Sequence, residues 1–517
     1  MRELIRALFK TSAGSAASLL FSAVALKIIA ATLGPAGTGL FSLLRQIQQT
    51  ALAASTAGGQ VALVQGAASR RDENRSEYLA TILCIFLLGG TSICLALVLF
   101  APLVSARVMN RTDDEAVRLI RWLAVPIFLS VLSGFVIGTL NAYRALGRLA
   151  VTQVTAAVGL AAIAYPVALL FQRGHQPALI LLLGVSAFAS TGLGIVFLSR
   201  SGWLAPIVAQ LRHGLRSDAA CQFFAVGGPT IAAMFAATGT QVVLRSAILH
   251  AMGLASVGLF DAAWTLSMTY VTLILASFST YYLPTLSEAR DADVRCALMQ
   301  RTLRVSTLLM VPLVGTVIVL KPLLIDVLYS TEFRPSLNVV RWMLVGDYLK
   351  VTSWVLGMPM LAMADMRRFF WTEIAWNLEF LGLAWVSLHF LNSVGGIGFA
   401  FLFMYATCLV YMLYYARSRL DFTVDRSTVR TWLLGLVLIV LASWATWSDV
   451  RVSAGSVAAW ICLVALFGWT AVCADERRKL LRMIGAHVPP GTGSFVGLSM
   501  PKNVPVPLPP EENEVLL

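Results

Sequence analysis

Fourteen apolar windows, each about 20 residues long, recur along this chain from near its N-terminus to about residue 473. A helix of that length crosses the hydrocarbon core of a bilayer, and the windows are separated by short polar turns. Their approximate limits are 12–32, 40–67, 79–105, 117–141, 150–171, 177–198, 220–249, 257–284, 305–328, 338–363, 370–391, 397–416, 431–447 and 454–473. Only 13% of the residues are charged, against about 25% in soluble domains. The sequence therefore predicts an all-α, polytopic membrane protein.

The first window also carries part of a signal-peptide pattern, because three positive charges in "MRELIRALFK" precede apolar residues. The window contains Lys27 and is followed by a turn without a clear A-x-A cleavage site, which favours a retained first helix. The seven cysteines form no CxxC pair. Neither a disulfide framework nor a metal site is predicted, and nothing in the sequence implies a cofactor.

The distribution of Lys and Arg predicts the orientation. If fourteen helices alternate from a cytoplasmic N-terminus, the inner segments hold 26 of the 39 Lys and Arg residues, and the outer loops with adjoining helix ends hold nine. Positive charge concentrates on the cytoplasmic side of membrane proteins, so both termini are predicted to be cytoplasmic. The net charge of +13 is then mainly a topology signal, and a nucleic-acid partner is not indicated.

The stretch "LGPAGTGLF", Leu33 to Phe41, is rich in glycine. A phosphate-binding P-loop needs Lys and Ser or Thr directly after its last glycine, and here Leu40 and Phe41 follow Gly39. The stretch is therefore interpreted as a periplasmic hairpin between the first two helices.

The same stretch reveals an internal repeat. "GPAGTGLF" (34–41) matches "GLASVGLF" (253–260) at five of eight positions, at an offset of 219. Residues 121–148 match residues 341–368 at eight of 28 positions, at an offset of 220. Apolar segments resemble one another by composition, but a shared register over more than 100 residues favours a duplication.

The repeat predicts two parallel six-helix lobes related by a pseudo-two-fold axis along the membrane normal. The expected organisation is an N-terminal lobe at 1–216, a C-terminal lobe at 217–420, two additional helices at 421–473 and a disordered cytoplasmic tail at 474–517. The tail is rich in proline and lacks a long apolar run. It is either an attachment point for polysaccharide polymerase or assembly proteins, or an idle extension.

Charges inside the predicted helices mark candidate binding residues, because a charge at mid-membrane is costly and normally faces water or a partner. The cations inside the windows are Lys27, Arg45, Arg245 and Lys350. A cluster of fixed cations in a cavity suits an anionic substrate. The acidic groups are Asp261, Asp347, Glu373 and Glu379, which either couple ion movement or neutralise cations in structural pairs.

Four segments together resemble a known family. They are "LGPAGTGLFSLLRQ", "ASFSTYYLPTLSEA", "RWMLVGDYLKVTSWVLG" and "RRFFWTEIAWNLEFL". The chain resembles Wzx-type polysaccharide flippases, of the lipid III (enterobacterial common antigen) and O-antigen kind, within the multidrug/oligosaccharidyl-lipid/polysaccharide exporter superfamily. The resemblance covers about residues 1–416.

The resemblance implies two six-helix lobes around a central cavity whose cations bind the substrate. It also implies that an undecaprenyl-diphosphate-linked oligosaccharide moves from the cytoplasmic to the periplasmic leaflet by alternating access. Lys27, Arg45, Arg245 and Lys350 stand where this sequence could supply those cations. Membrane lipid is then the other expected partner, and no enzymatic activity is expected.

Two alternatives remain open at this point. A cation-coupled multidrug exporter of the same superfamily would favour acidic cavity residues, whereas the central windows here hold more basic ones. A membrane glycosyl transferase or ligase would be expected to carry a sizeable outer loop with catalytic carboxylates or arginines. Outer loops longer than about a dozen residues are not predicted here.

Overall fold

The computed structural model describes residues 2–57, 59–70, 72–214, 216–289, 291–447 and 451–471, and this part of the chain is helical without β-strands. The α-helices are α1 (Arg2–Ser55), α2 (Gln60–Ala68), α3 (Asp72–Leu99), α4 (Ala101–Val108), α5 (Asp114–Trp122), α6 (Ala124–Ala142), α7 (Leu146–Gln172), α8 (Leu179–Arg200), α9 (Leu204–Gln210), α10 (Ser217–Glu288), α11 (Ala292–Leu328), α12 (Leu337–Ala362), α13 (Met366–Phe390), α14 (Gly395–Leu420), α15 (Arg426–Ala445) and α16 (Ala454–Ala471). Short 3-10 helices cover Gln176–Ala178, Leu211–His213 and Thr331–Ser336.

Helices account for all fourteen apolar windows. Ten helical segments of the described chain are long and apolar enough to cross a membrane. Two of these, Ala16–Ser55 and Ala233–Glu288, are long enough to hold two windows each. The remaining two windows correspond to α12 and α13, which carry more charged residues. The prediction of an all-α polytopic membrane protein is confirmed.

Single glycines break the two longest helices. Gly34 interrupts α1 with φ +63° and ψ −176°, and Gly253 interrupts α10 with φ +81° and ψ 174°. Residues with a side chain rarely adopt this backbone conformation, whereas glycine adopts it without steric cost. The hairpin predicted over Leu33 to Phe41 is therefore confined to a break at Gly34. The next helical stretch begins directly at Pro35, because proline's fixed φ and missing N–H suit a first helical position.

Left-handed residues recur at equivalent places in the two halves. Besides the pair Gly34 and Gly253, positive φ angles occur at three further pairs separated by 218 to 220 residues: Arg144 and Ala364, Gly174 and Asn392, and Gly202 and Asp421. The bonds that end the helices repeat as well. The Ala145 N–H donates to the Leu140 carbonyl at 2.9 Å, and the Asp365 N–H to the Met360 carbonyl at 2.8 Å. The duplication seen in the sequence is therefore present in the backbone.

An N-terminal cap stabilises α5, whereas apolar packing holds α1. Asp113 caps α5, because its carboxylate accepts from the Ala116 N–H at 3.2 Å. The Arg111 guanidinium, 2.7 and 2.8 Å away, holds the pKa of the Asp113 carboxyl below its usual value. In contrast, α1 is anchored by packing: its buried face joins α7 and α8 in one apolar core.

Met1–Phe467 forms one compact unit, and a second unit begins at Gly468. The lobe boundaries at 216/217 and 420/421 stay a prediction. The tail at 474–517, with its inner-side Arg477, Arg478, Lys479, Arg482 and Lys502, lies outside the described residues.

Candidate functional site

The two halves of the molecule make a close backbone contact five residues after each glycine break. A methyl group added to Gly39 would overlap the carbonyl oxygen of Leu254, and one added to Gly258 would overlap the carbonyl oxygen of Pro35. At the offset of 219, Gly39 corresponds to Gly258 and Pro35 corresponds to Leu254. The contact is therefore reciprocal, as expected where two equivalent surfaces meet about a two-fold axis.

Polar contacts join the halves at the same end of the helices, which we call the turn end because it holds Gly34 and Gly253. The ammonium of Lys27 donates to the carbonyl of Asp326 at 2.6 Å and also to the carbonyl of Tyr329. A methyl group added to Gly34 would lie 3.2 Å from the Glu332 carboxylate. At the turn end, the first part of α1 therefore contacts the last turn of α11 and the segment that follows it.

One carboxylate is shared by two arginines from different halves. Asp261, on α10, accepts from Arg245 Nη2 at 2.9 Å, and from Arg45 Nη2 on α1 at 3.1 and 3.3 Å. The equivalent position in the first half is Ser42, because positions 42 and 261 correspond at the repeat offset of 219. Ser42 Oγ accepts from Arg245 Nε at 3.0 Å, so both equivalent positions hold Arg245.

The members of this cluster differ in exposure. The side chains of Arg245 and Asp261 are each 2% exposed, whereas that of Arg45 is 34% exposed. Arg245 is further satisfied by Gln241 Oε1 at 2.8 Å. The cluster carries two positive charges and one negative charge, so one net positive charge remains, and the exposed member that can present it to a ligand is Arg45.

Arg45 lines a cavity of 660 Å³, within the range of about 300–1,000 Å³ typical of small-molecule sites. Most of its wall comes from the first half of the chain, with Leu273 from the second. Its polar lining residues are Ser18, Ser22, Arg45, Gln48, Gln49, Gln60, Ser130, Ser133, Gln153, Ser186 and Ser190. Among the described residues that line it there is no carboxylate.

A second cavity, of 420 Å³, has a different lining. Its walls are mostly aromatic and thioether side chains: Trp264, Trp354, Trp376, Phe369, Phe380, Phe401, Tyr405, Met358, Met360, Met404 and Met412. The Lys, Arg, Asp and Glu side chains among its lining residues are Lys350 and Glu373. The Lys350 ammonium lies 3.0 Å from the Met268 sulfur, and 5.6 and 5.9 Å from the ring centres of Tyr405 and Phe401.

Two of the remaining acidic candidates, Asp347 and Glu379, accept hydrogen bonds from neutral groups. Asp347 is fully buried, and its two carboxylate oxygens accept from Ser267 Oγ at 2.8 Å and Tyr270 Oη at 2.6 Å. Glu379 accepts from Thr407 Oγ1 at 2.7 and 2.9 Å. Neither Asp347 nor Glu373 lies within ion-pair distance of Lys350 in the described structure, although Asp347 is one helical turn away on α12.

The candidate residues are therefore distributed over several places. Arg45 lines the larger cavity and Lys350 the smaller one. Arg245 is enclosed with Asp261, and Lys27 is committed to backbone carbonyls at the turn end. Sequence reasoning missed the serines and glutamines of the larger cavity. The run "RQIQQ" at 45–49 carried that signal, because three glutamines beside an arginine inside an apolar window are unusual.

Comparisons with known proteins agree with this architecture. A family model described as "Polysaccharide biosynthesis protein" matches residues 28–338. The lipid III flippases of Escherichia coli (strain K12) and Shigella flexneri are each 25% identical to this chain over 394 residues, covering 74% of this chain and 90% of the relative.

Solved structures share the fold. The lipid II flippase MurJ in an inward closed conformation matches with a TM-score of 0.66 at 13% identity, covering 93% of this chain and 99% of that one. An inward-facing multidrug resistance MATE family transporter of the MOP superfamily matches with a TM-score of 0.63 at 12% identity, covering 78% and 94%. The first 420 residues are less than 93% of this 517-residue chain. The similarity to MurJ therefore extends beyond residue 420, into the part that holds α15 and α16.

These relatives are flippases and transporters, which agrees with the expectation that the chain is not an enzyme. The fold is that of the MOP superfamily, and the match over residues 28–338 covers more than half of the chain. The chain belongs to the polysaccharide biosynthesis protein family.

Proposed function

We propose that this protein moves an undecaprenyl-diphosphate-linked oligosaccharide from the cytoplasmic to the periplasmic leaflet of a bacterial inner membrane by alternating access. The observation that carries the proposal is the position of Arg45. It lines the larger cavity, and its partner Asp261 is shared with Arg245. The similarity to lipid III flippases supports the choice of a lipid-linked glycan.

Sharing of Asp261 gives Arg45 a way to bind a diphosphate at little cost. When Arg45 turns to a phosphate, Asp261 keeps its 2.9 Å contact with Arg245, so no buried carboxylate is left without a counter-charge. Arginine suits this role because its planar fork binds phosphate oxygens in pairs. Arg245 then acts as a positioning residue, which keeps Asp261 ionised and in place.

The other predicted residues take secondary roles in the proposal. Lys350 offers a second positive charge in the smaller cavity, where Glu373 is the acidic group at the surface. Asp347 and Glu379 lie outside that lining and stay candidates for ion coupling or charge pairing. Lys27 holds the two halves together at the turn end through its hydrogen bonds to the carbonyls of Asp326 and Tyr329. The sugars occupy the aqueous lumen between the lobes at 1–216 and 217–420, and the prenyl chain stays in lipid.

In the proposed cycle, the turn end is the end from which the substrate is released. With both termini cytoplasmic, Gly34 and Gly253 lie at the periplasmic end, so the closure made there by Lys27 and the reciprocal glycine contact faces the periplasm. In this state the substrate enters from the cytoplasmic side. Release requires that those contacts separate while the opposite end closes. A polymerase or assembly protein would then receive the glycan, as for an O-antigen or enterobacterial common antigen precursor.

The test is complementation of a strain from which the gene has been deleted. The deletion should accumulate a prenyl-diphosphate-linked glycan, which lipid extraction and mass spectrometry would identify. The wild-type gene should remove it and Arg45→Ala should not, with equal amounts of protein in the membrane. Loss of a charged hydrogen bond of about 1.5–3 kcal/mol corresponds to at least tenfold weaker binding.

Two controls make the result specific. Arg118→Ala changes an exposed arginine on α5 and should complement fully, whereas Arg45→Lys should complement in part because it keeps the charge. Full complementation by Arg45→Ala would refute the role of Arg45.

A cation-coupled multidrug exporter is the second candidate function. The smaller cavity supports it, because aromatic side chains and Glu373 together suit an apolar cation. This alternative predicts that the deletion strain accumulates no lipid-linked glycan and becomes more sensitive to cationic dyes. Glu373→Gln should then reproduce the sensitivity, while Arg45→Ala should not.

A further inference from the structure

The larger cavity combines one cation with an unusually neutral polar wall. Six serines and four glutamines line it together with Arg45. A diphosphate alone would be bound by cations and needs few neutral partners. Polar side chains within the membrane are costly unless they have a function or a partner, so this wall requires an explanation of its own.

Four of the six serine hydroxyls are already committed as donors. Ser130 donates to the Pro126 carbonyl at 2.7 Å, and Ser186 donates to the Ala156 carbonyl at 3.2 Å. Ser133 and Ser190 bond to each other at 2.6 Å. A hydroxyl has one proton and two lone pairs. What these serines can still offer to the cavity is therefore mainly acceptor capacity, which suits the hydroxyl protons of a ligand.

The glutamines supply both kinds of group. The amide nitrogen of Gln48 is held by Ser130 Oγ at 2.9 Å and by the carbonyls of Pro126 and Leu183 at 3.3 Å. In contrast, Gln49, Gln60 and Gln153 have no hydrogen-bond partner within the described part of the chain, and all three line the cavity. Each presents two amide protons and a carbonyl oxygen, which match the hydroxyl and acetamido groups of a sugar.

Space around Gln60 is kept by a glycine. A methyl group added to Gly134 on α6 would lie 3.0 Å from Gln60 Nε2, so the amide lies directly against the α6 backbone. Gln60 and Gln153 come from α2 and α7, while Ser18 and Ser22 come from α1. Several elements thus converge on one volume, as expected for a built site rather than for a single polar helix face.

We infer that this cavity is the glycan subsite, and that it selects a head group rich in hydroxyl and acetamido groups without a free amine. The inference rests on the proposed function and adds the class of sugar. Arg45 would repel a protonated amino sugar, and no carboxylate of the described lining offsets that repulsion. Selection therefore combines matched hydrogen bonds with exclusion of the wrong charge.

Binding of three defined probes to the full-length protein in detergent tests the inference. The probes are farnesyl diphosphate, farnesyl diphosphate bearing an N-acetylglucosamine disaccharide, and the same molecule after removal of both acetyl groups. Wild type should bind the acetylated probe about tenfold more tightly than farnesyl diphosphate, because the glutamines add net hydrogen bonds to the sugar. Tenfold corresponds to about 1.4 kcal/mol. The deacetylated probe should bind no better than farnesyl diphosphate.

The double variant Gln60→Ala/Gln153→Ala should lose the tenfold preference and keep its affinity for farnesyl diphosphate. Gln65→Ala is the matched control, since Gln65 is also exposed on α2 but does not line the cavity. Gln153→Asn provides a second variant that keeps the amide.

The outcomes separate the inference from the proposed function. Equal binding of all three probes by wild type, or an unchanged preference in the double variant, would overturn the glycan subsite and leave diphosphate binding by Arg45 intact. Failure of wild type to bind any of the probes would instead count against the proposed function.

Discussion

Asp261 shows how one residue links the two halves of the chain. It lies 216 residues from Arg45 and 16 from Arg245, and it binds both. The sequence identifies all three as charges inside apolar windows. Their pairing could not be predicted, because it depends on the approach of two helices that are remote in the sequence and on rotamers that hydropathy does not determine.

Replacement of Asp261 by Asn should destabilise the protein strongly. Arg245 would remain 2% exposed without a counter-charge, and removal of one partner of a buried pair costs about 3–5 kcal/mol. Thermal unfolding in detergent should show a clear loss of stability. Arg45→Ala should have a much smaller effect, because the pair of Asp261 with Arg245 remains.

A matched control for that prediction is the pair between Asp365 and Arg368. Their side chains are 24% and 35% exposed, and ion pairs of this kind contribute about 1 kcal/mol or less. Asp365→Asn should therefore change the unfolding temperature little. An equal loss in both carboxylate variants would mean that burial of Asp261 is unimportant.

Among the structural elements, the glycine breaks lie where the sequence predicted a turn, but each break is shorter than the predicted hairpin. The repeated motif located Gly34 and Gly253, since only a duplication explains glycines in shared register. The helix is nevertheless broken at one residue rather than over the whole stretch Leu33 to Phe41, because Pro35 starts a helix immediately. The residues after Gly253 do so as well. Residue types alone did not distinguish a glycine that turns the chain from Gly39, which instead makes room for Leu254.

Gly258→Ala should loosen the turn end. The added methyl group would overlap the Pro35 carbonyl oxygen, which is backbone and cannot rotate away. Thr38, which is 1% exposed, can report this change as Thr38→Cys in a background without other cysteines. We expect a membrane-impermeant maleimide added from the periplasmic side to label it several times faster when Gly258→Ala is present.

Gly239→Ala is the control on the same helix, because a methyl group there would meet open space. It should leave the rate of labelling at Thr38→Cys unchanged. If both alanine variants label at the parental rate, the reciprocal contact does not hold the turn end closed.

At the scale of the whole molecule, the two halves have diverged in chemistry while keeping one backbone plan. The first half supplies a wall of serine and glutamine, and the second supplies aromatic and methionine side chains around Lys350 and Glu373. The sequence predicted one space with four cations. The repeat and the helix number could be predicted because periodicity records them, whereas the division of charges between cavities depends on which helix faces turn inward.

Transport of a diphosphate should respond to membrane potential. With the cytoplasm negative, each net negative charge carried outward gains about 2.3 kcal/mol per 100 mV. In proteoliposomes with a valinomycin-clamped potassium gradient, outward movement of a fluorescent prenyl-diphosphate-linked sugar should accelerate when the cytoplasmic side is negative. A rate that ignores potential and instead follows a proton or Na⁺ gradient would assign coupling to the acidic groups around Lys350.

The reciprocal contact between Gly39 and Leu254, and between Gly258 and Pro35, has a consequence for the origin of the molecule. Two copies of a single six-helix chain would make this same contact with each other about a two-fold axis. Gene duplication and fusion would turn such a homodimer into one polypeptide without a new interface. Once fused, the copies were free to specialise, so a buried serine in one could become Asp261 in the other while the surface that joined them was retained.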